Sequence, residues 1–203
     1  IDLTVEVARE AGLDVDVEAF ERHFAEHREK SKGDRAAGGL ADDSVESIRY
    51  HTATHLLHAA LREVLGDHVF QKGSNITRER LRFDFSHHAA LTPEEIAKVT
   101  ALVQEQIDRG VGVEREVMKV PEARAAGAIG LFDDKYDGDV SVYRVPGFSL
   151  EFCGGPHVVN TGELGRFKIV KEQSAGAGVR RIRAELEPVD DSDRSGATAD
   201  AAA

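Results

Sequence analysis

The chain has 203 residues, 41% hydrophobic and 31% charged, which suits one globular domain with appendages and excludes neither an enzyme nor a binding module. It contains no run of about 18 uncharged apolar residues, and the opening IDLTVEVARE lacks a basic stretch ahead of an apolar one. No membrane span or secretory signal is therefore legible, and cytoplasmic placement is the expectation. The net charge of -11 sits at the ends: residues 1–46 carry 6 basic and 13 acidic side chains, residues 187–203 carry 1 and 5, and residues 47–186 hold 19 of each. Within that neutral middle, residues 166–183 hold six Lys or Arg against one Glu, so net charge does not exclude an RNA partner. On charge alone, a solvated strand pair is the simpler reading.

In chain order, Leu3, Val7 and Ala8 predict a short helix broken at Gly12, and Val17, Phe20 and Phe24 predict a second. The charged, glycine-containing run from Glu26 to Gly39 reads as a linker. Asp43 and Glu46 suggest a capping box before Ile48, His51, His55, Leu56 and Ala59, whose spacing predicts a helix of about five turns ending near Gly66. Leu81, Phe83 and Phe85 alternate with Arg82 and Asp84, as in a half-buried strand. Thr92, Pro93, Glu94 and Glu95 form a helix start ahead of Ile96, Val99, Val103 and Ile107, with Gly110 as its end. Further strands are expected at 111–119, 140–145, 148–152, 166–171 and 179–186, with a short helix from Pro121. Gln71–Ser74 and Ser174–Gly178 read as turns. The fold class is α+β: a mainly antiparallel sheet with helices packed on one face. Residues 188–203 have almost nothing to bury, and disorder is expected there.

The single cysteine, Cys153, excludes an internal disulfide framework and must be a packing residue, a metal ligand or a nucleophile. His51 and His55, four apart on a helix, project from one face and can reach a common ion, although that pattern alone is weak. The turn Cys153-Gly154-Gly155-Pro156-His157 supplies a thiolate and a third imidazole, which completes a four-ligand set of the kind zinc prefers. The metal site is thus expected between the first long helix and this turn. A nucleophilic Cys153 with a histidine base remains the alternative, and it leaves the helical histidine pair unexplained. His58, His68, His87 and His88 carry no assigned role, because isolated histidines are usually surface or locally bonded.

Four successive blocks, HTATHLLHAAL, HVFQKGSNITRERLRFDFSH, FCGGPHVVNTGELGRFKIVKE and AGVRRIRAEL, resemble the editing domain of alanyl-tRNA synthetases over about residues 50–186. Free-standing alanyl-tRNA editing proteins and the threonyl-tRNA synthetase editing domain share this module. The segment before the linker also resembles the region that follows the aminoacylation half of the synthetase. The resemblance implies a Zn2+-dependent hydrolase acting on tRNA(Ala) mischarged with Ser or Gly. Carried over residue by residue, its zinc ligands fall on His51, His55, Cys153 and His157, and its pocket glutamine falls on Gln71. The tRNA end is placed near Gly178, Arg180 and Arg181. The alanyl family usually reads C-G-G-T-H; Pro156 gives the form of the threonyl relative, so Ser-tRNA(Ala) and Ser-tRNA(Thr) both stay open as substrates.

A synthetic pocket sized for alanine rejects glycine weakly, and serine is only one hydroxyl larger, which is the physical case for a second, hydrolytic sieve. Zinc is expected to orient the substrate amine or hydroxyl or to activate water, with Gln71 and backbone N–H groups on the oxyanion. Four protein ligands also suit a structural ion. The expected organisation is a helical segment at 1–31, a linker at 32–43, the editing domain at 44–187 and a tail at 188–203. Motifs of the ATP-binding, aminoacylating half are not recognisable, so charging of tRNA by this chain alone is not expected. It reads as part of a synthetase, with a free-standing trans-editing factor or a zinc-stabilised tRNA-binding module as alternatives.

Overall fold

The computed structural model describes residues 2–13, 15–23, 40, 42–130 and 138–187. Two compact units result, Ile1–Ala36 and Ala37–Ala203. In the first, helix α1 (Asp2–Glu10) ends with Gly12 at φ 73°, where the Leu13 N–H donates to Ala8 O at 2.8 Å and the Gly12 N–H to Arg9 O at 3.1 Å. That double closure satisfies the last helical carbonyls and needs the left-handed conformation glycine adopts without strain. Residues 17–23 are helical again, opened by Asp16, whose Oδ1 accepts from the Ala19 N–H at 2.8 Å. Phe24, most of the expected linker and the expected disordered tail lie outside the described residues.

The second unit is built around α2 (Val45–Leu65), followed by β1 (Gln71–Ile76), β2 (Leu81–Ser86), α3 (Pro93–Asp108), β3 (Glu114–Lys119), α4 (Val120–Ala125), β4 (Asp139–Val145), β5 (Ser149–Phe152), a single 3-10 turn (Thr161–Leu164), β6 (Arg166–Gly176) and β7 (Val179–Glu187). All strand pairings are antiparallel, as expected, but the strands divide between two sheets. One has the order β1-β2-β7-β6 and the other β3-β4-β5. The α+β reading holds.

Three local expectations are corrected. Helix α2 is capped by Ser44, one residue later than the Asp43 box, because Asp42 Oδ1 accepts from the Ser44 N–H and the Ser47 hydroxyl while Ser44 Oγ accepts from the Ser47 N–H. Gln71–Ser74 belongs to β1 rather than to a turn: the apolar strand Leu81–Phe85 offers it a complete ladder, and a bulge between Gln71 and Gly73 absorbs the irregular sequence. Ser174–Gly176 likewise extends β6, and only Ala177 and Gly178, the latter at φ 66°, make the hairpin turn.

Helix α2 contacts β1 and β2 of the larger sheet, β5 of the smaller sheet, and α3. It buries twelve of its twenty-one residues, which explains why its sequence is apolar or weakly polar on more than one side. Leu56, Leu57 and Leu61 join Ile76, Leu81, Phe83, Phe85 and Ile182 in the main core, and Val99, Val103 and Ile107 of α3 close it. Thr92 and Glu95 form the expected capping box at the α3 N-terminus. A smaller cluster of Ala123, Val140, Val142 and Phe152 holds the second sheet. With α2 between the two sheets, its polar His51–His55 face meets the chain as it leaves β5.

Candidate metal centre

His51 and His55 stand one turn apart on α2, with ring centroids 5.2 Å apart and edge-to-face. Cys153 follows directly on β5, where its N–H donates to Ser141 O at 3.1 Å, and the Gly-Gly-Pro turn returns His157 to stack on His51 at 4.1 Å. One ligand atom from each of the four residues lies within 4.8 Å of all the others. Cys153 Sγ is 3.3 Å from His51 Nε2 and 3.4 Å from His157 Nε2. A tetrahedral zinc ion with ordinary bond lengths separates sulfur and nitrogen ligands by about 3.6 Å, so the side chains already frame a space of the right size for such an ion.

Outer contacts set the rings. His51 Nδ1 lies 2.9 Å from Pro156 O, which can only accept, so Nδ1 carries the proton and Nε2 presents its lone pair toward the sulfur. The Thr52 hydroxyl donates to Ile48 O at 3.4 Å, accepts from the Val158 N–H at 3.2 Å and lies 3.0 Å from His157 Nδ1. Its lone pair therefore receives the Nδ1 proton, and His157 Nε2 is left free in the same way. The buried Glu151 carboxylate accepts from His58 Nδ1 at 3.2 Å and lies 4.0 Å from His55 Nε2. The Tyr143 ring covers His157 at 4.1 Å.

Burial dominates the electrostatics. It holds the His51 ring down at about 3, aided by the charge of His55, and pushes His157 well below the ordinary imidazole range. Burial also lowers His55 and raises the Cys153 thiol to about 12. Glu151 goes the other way: burial would raise it, but His55 and His58 outweigh that and hold the carboxyl below its usual range. Three neutral imidazoles are ready as ligands, and the thiol would ionise only beside a cation. A nucleophilic cysteine needs a depressed pKa, the opposite of this environment.

The other anticipated residues belong to the larger sheet and its β6–β7 turn. Gln71 opens β1 opposite Phe85, and Gly178 forms the β6–β7 turn. Arg180 makes a bidentate pair with Glu172 at 2.5 and 2.8 Å, and Arg181 makes one with Asp84 at 2.6 and 2.7 Å. Both guanidiniums thus already have carboxylate partners. Asp84, expected on a solvent face of β2, is buried beneath Arg181. Thr52, Glu151 and Tyr143 were not anticipated. Thr52 adjoins His51, and Glu151 precedes Cys153 by two residues, the strand period that puts both on one side; neither residue type is distinctive enough to have been singled out.

Residues 140–183 match the family described as the threonyl and alanyl tRNA synthetase second additional domain. The alanine–tRNA ligase of Borreliella afzelii is 56% identical over 188 residues, covering 91% of this chain and 32% of that protein. The alanine–tRNA ligase of Treponema denticola is 56% identical over 190 residues, 92% of this chain and 32% of its own length. That of Shouchella clausii is 48% identical over 157 residues, 77% and 18% respectively. The chain spans about a third or less of the curated relatives it matches. Among the described residues, no helix is long and apolar enough to cross a membrane. These likenesses uphold the resemblance read from the four sequence blocks: over most of its length the chain is similar to part of the alanine–tRNA ligases, and within that stretch residues 140–183 match the second additional domain.

Proposed function

We propose that this chain is the editing part of an alanyl-tRNA synthetase, hydrolysing the ester of tRNA(Ala) mischarged with Ser or Gly in the cytoplasm. The observation that carries the reading is the convergence of His51, His55, Cys153 and His157, within 4.8 Å of one another, in a chain similar over 91% of its length to alanine–tRNA ligases. The domain is taken as residues 44–187, with 1–31 as the helical approach, 32–43 as linker and 188–203 as tail.

His51, His55, Cys153 and His157 hold Zn2+ in this reading, and their burial keeps competing water away from the ligands. When bound, the ion supplies a Lewis-acid centre that orients the substrate amine or hydroxyl. Gln71 holds the aminoacyl group, and backbone N–H groups nearby receive the oxyanion as water attacks the ester carbon. The bond from that carbon to the ribose oxygen breaks, releasing the amino acid and leaving a hydroxyl on the tRNA. Gly178, Arg180 and Arg181 guide the tRNA end, with the arginines exchanging or sharing their carboxylate partners with phosphate.

A second reading, a zinc-stabilised tRNA-binding module, is favoured by the four-ligand count, since closed tetrahedral sites are commonly structural. Metal analysis coupled to deacylation separates the two. The editing reading expects stoichiometric zinc and release of serine from Ser-tRNA(Ala). Intact Ser-tRNA(Ala), bound with strong salt dependence by zinc-loaded protein, would establish the binding module instead. Ser-tRNA(Thr) beside Ser-tRNA(Ala) reads out the effect of Pro156.

A further inference from the structure

Away from the quartet, His68, His87 and His88 also bring one ring nitrogen each within 4.8 Å of one another. His68 lies in the connection from α2 to β1, and His87 and His88 follow the end of β2. The ring centroids are 5.1 Å apart for His68–His87, 4.7 Å for His87–His88 and 6.0 Å for His68–His88. His68 Nε2 and His87 Nδ1 approach to 2.8 Å, sharing one proton in a hydrogen bond.

The backbone beneath these rings is held tightly. Arg62 clamps the His68 connection through Asp67 O and Val69 O, at 2.8 Å each. The Ser86 hydroxyl donates to His68 O at 2.7 Å and accepts from the Phe70 N–H at 2.9 Å, tying the two segments together. The His87 N–H donates to Gly178 O at 3.1 Å, which extends the connection to the β6–β7 turn.

We propose that His68, His87 and His88 form a second transition-metal site that binds a divalent ion of the zinc or nickel class and staples the α2–β1 connection to the end of β2. Three imidazoles and no carboxylate form a donor set suited to such ions rather than to magnesium or calcium. Two imidazole nitrogens on a tetrahedral zinc ion sit about 3.3 Å apart, so the 2.8 Å pair must open by about half an ångström. The exposed His68 and His88 rings have room to turn. Burial, then the neighbouring His88 and His68, hold His87 below the ordinary imidazole range, which keeps it in the neutral form a metal requires and a phosphate does not. The outward coordination position is left for water or an anionic oxygen.

The full chain, stripped by chelator and re-equilibrated with Zn2+, should retain two ions per chain by elemental analysis. The paired substitution His68→Gln and His88→Gln, on exposed positions that leave the core intact, should reduce this to one. Cys153→Ala should instead retain the ion at the trio, and added Ni2+ should raise its melting temperature unless His68→Gln and His88→Gln are also present. If wild type holds a single ion that persists in Cys153→Ala and is lost with His68→Gln and His88→Gln, the trio stands and the quartet reading falls. Zinc content unchanged by His68→Gln and His88→Gln overturns the proposal. So does binding of inorganic phosphate in acid without metal uptake at neutral pH, which would mark an anion site.

Discussion

The two histidine clusters differ in depth, and that difference governs what each asks of the fold. The quartet lies between a central helix and a turn, with its rings oriented by Pro156 O and Thr52 and flanked by a buried carboxylate. The trio lies at the rim, with His68 and His88 exposed and its order coming from the backbone beneath it. A buried site must satisfy every polar atom it removes from water, so it recruits outer partners. A rim site leaves that task to solvent. Losses at the quartet should therefore spread into stability and activity, while losses at the trio should stay local.

The largest effect expected is that of Cys153→Ala. It should lower metal retention at the quartet, where three imidazoles remain, and reduce deacylation by more than about 100-fold, since outer partners of a metal site alone are worth 10–100-fold. Retained zinc with lost hydrolysis would restore the nucleophile reading. Stability should divide the regions next. Leu57→Ala, on the quartet's own helix and buried in the main core, is expected to cost about 2–5 kcal/mol in denaturant unfolding, whereas His68→Gln should stay within about 0.5 kcal/mol. Equal costs would show that the trio is as structural as the core.

Thr52→Val should weaken zinc binding at the quartet by about 10–100-fold with little change in volume, because His157 Nδ1 and the Val158 N–H lose their partner. Unchanged affinity in a competition titration would demote the outer contacts. The smallest effect is a control on acid titrations of either cluster. Hydrogen bonds from Ser44 first, then Ser47 and Arg78, hold the Asp42 carboxyl far below its ordinary 3.8. Its folded-state pKa is depressed, so its contribution is complete above the unfolded value and fades as pH falls below about 4. Asp42→Asn should flatten the acid limb of a stability curve there, leaving any change nearer pH 6 to the histidines; an unaltered acid limb would remove Asp42 from the account.

What sequence alone determined is what short-range spacing encodes. Histidines four apart on α2, the Cys153–His157 turn, the Thr92 cap and the alternating Leu81–Phe85 strand are legible because each depends on neighbours within a turn or a strand period. The four quartet residues could be named for that reason and because their chemistry is distinctive. Tertiary structure alone decided the rest. It divided the strands between two sheets, buried Asp84 under Arg181 across a strand pair, and drew Gln71–Ser74 into β1 through pairing with β2. It also recruited Thr52 and Glu151 to the quartet and assembled His68 with His87 and His88. These results depend on contacts between segments distant in sequence, where long-range pairing and burial override local preference.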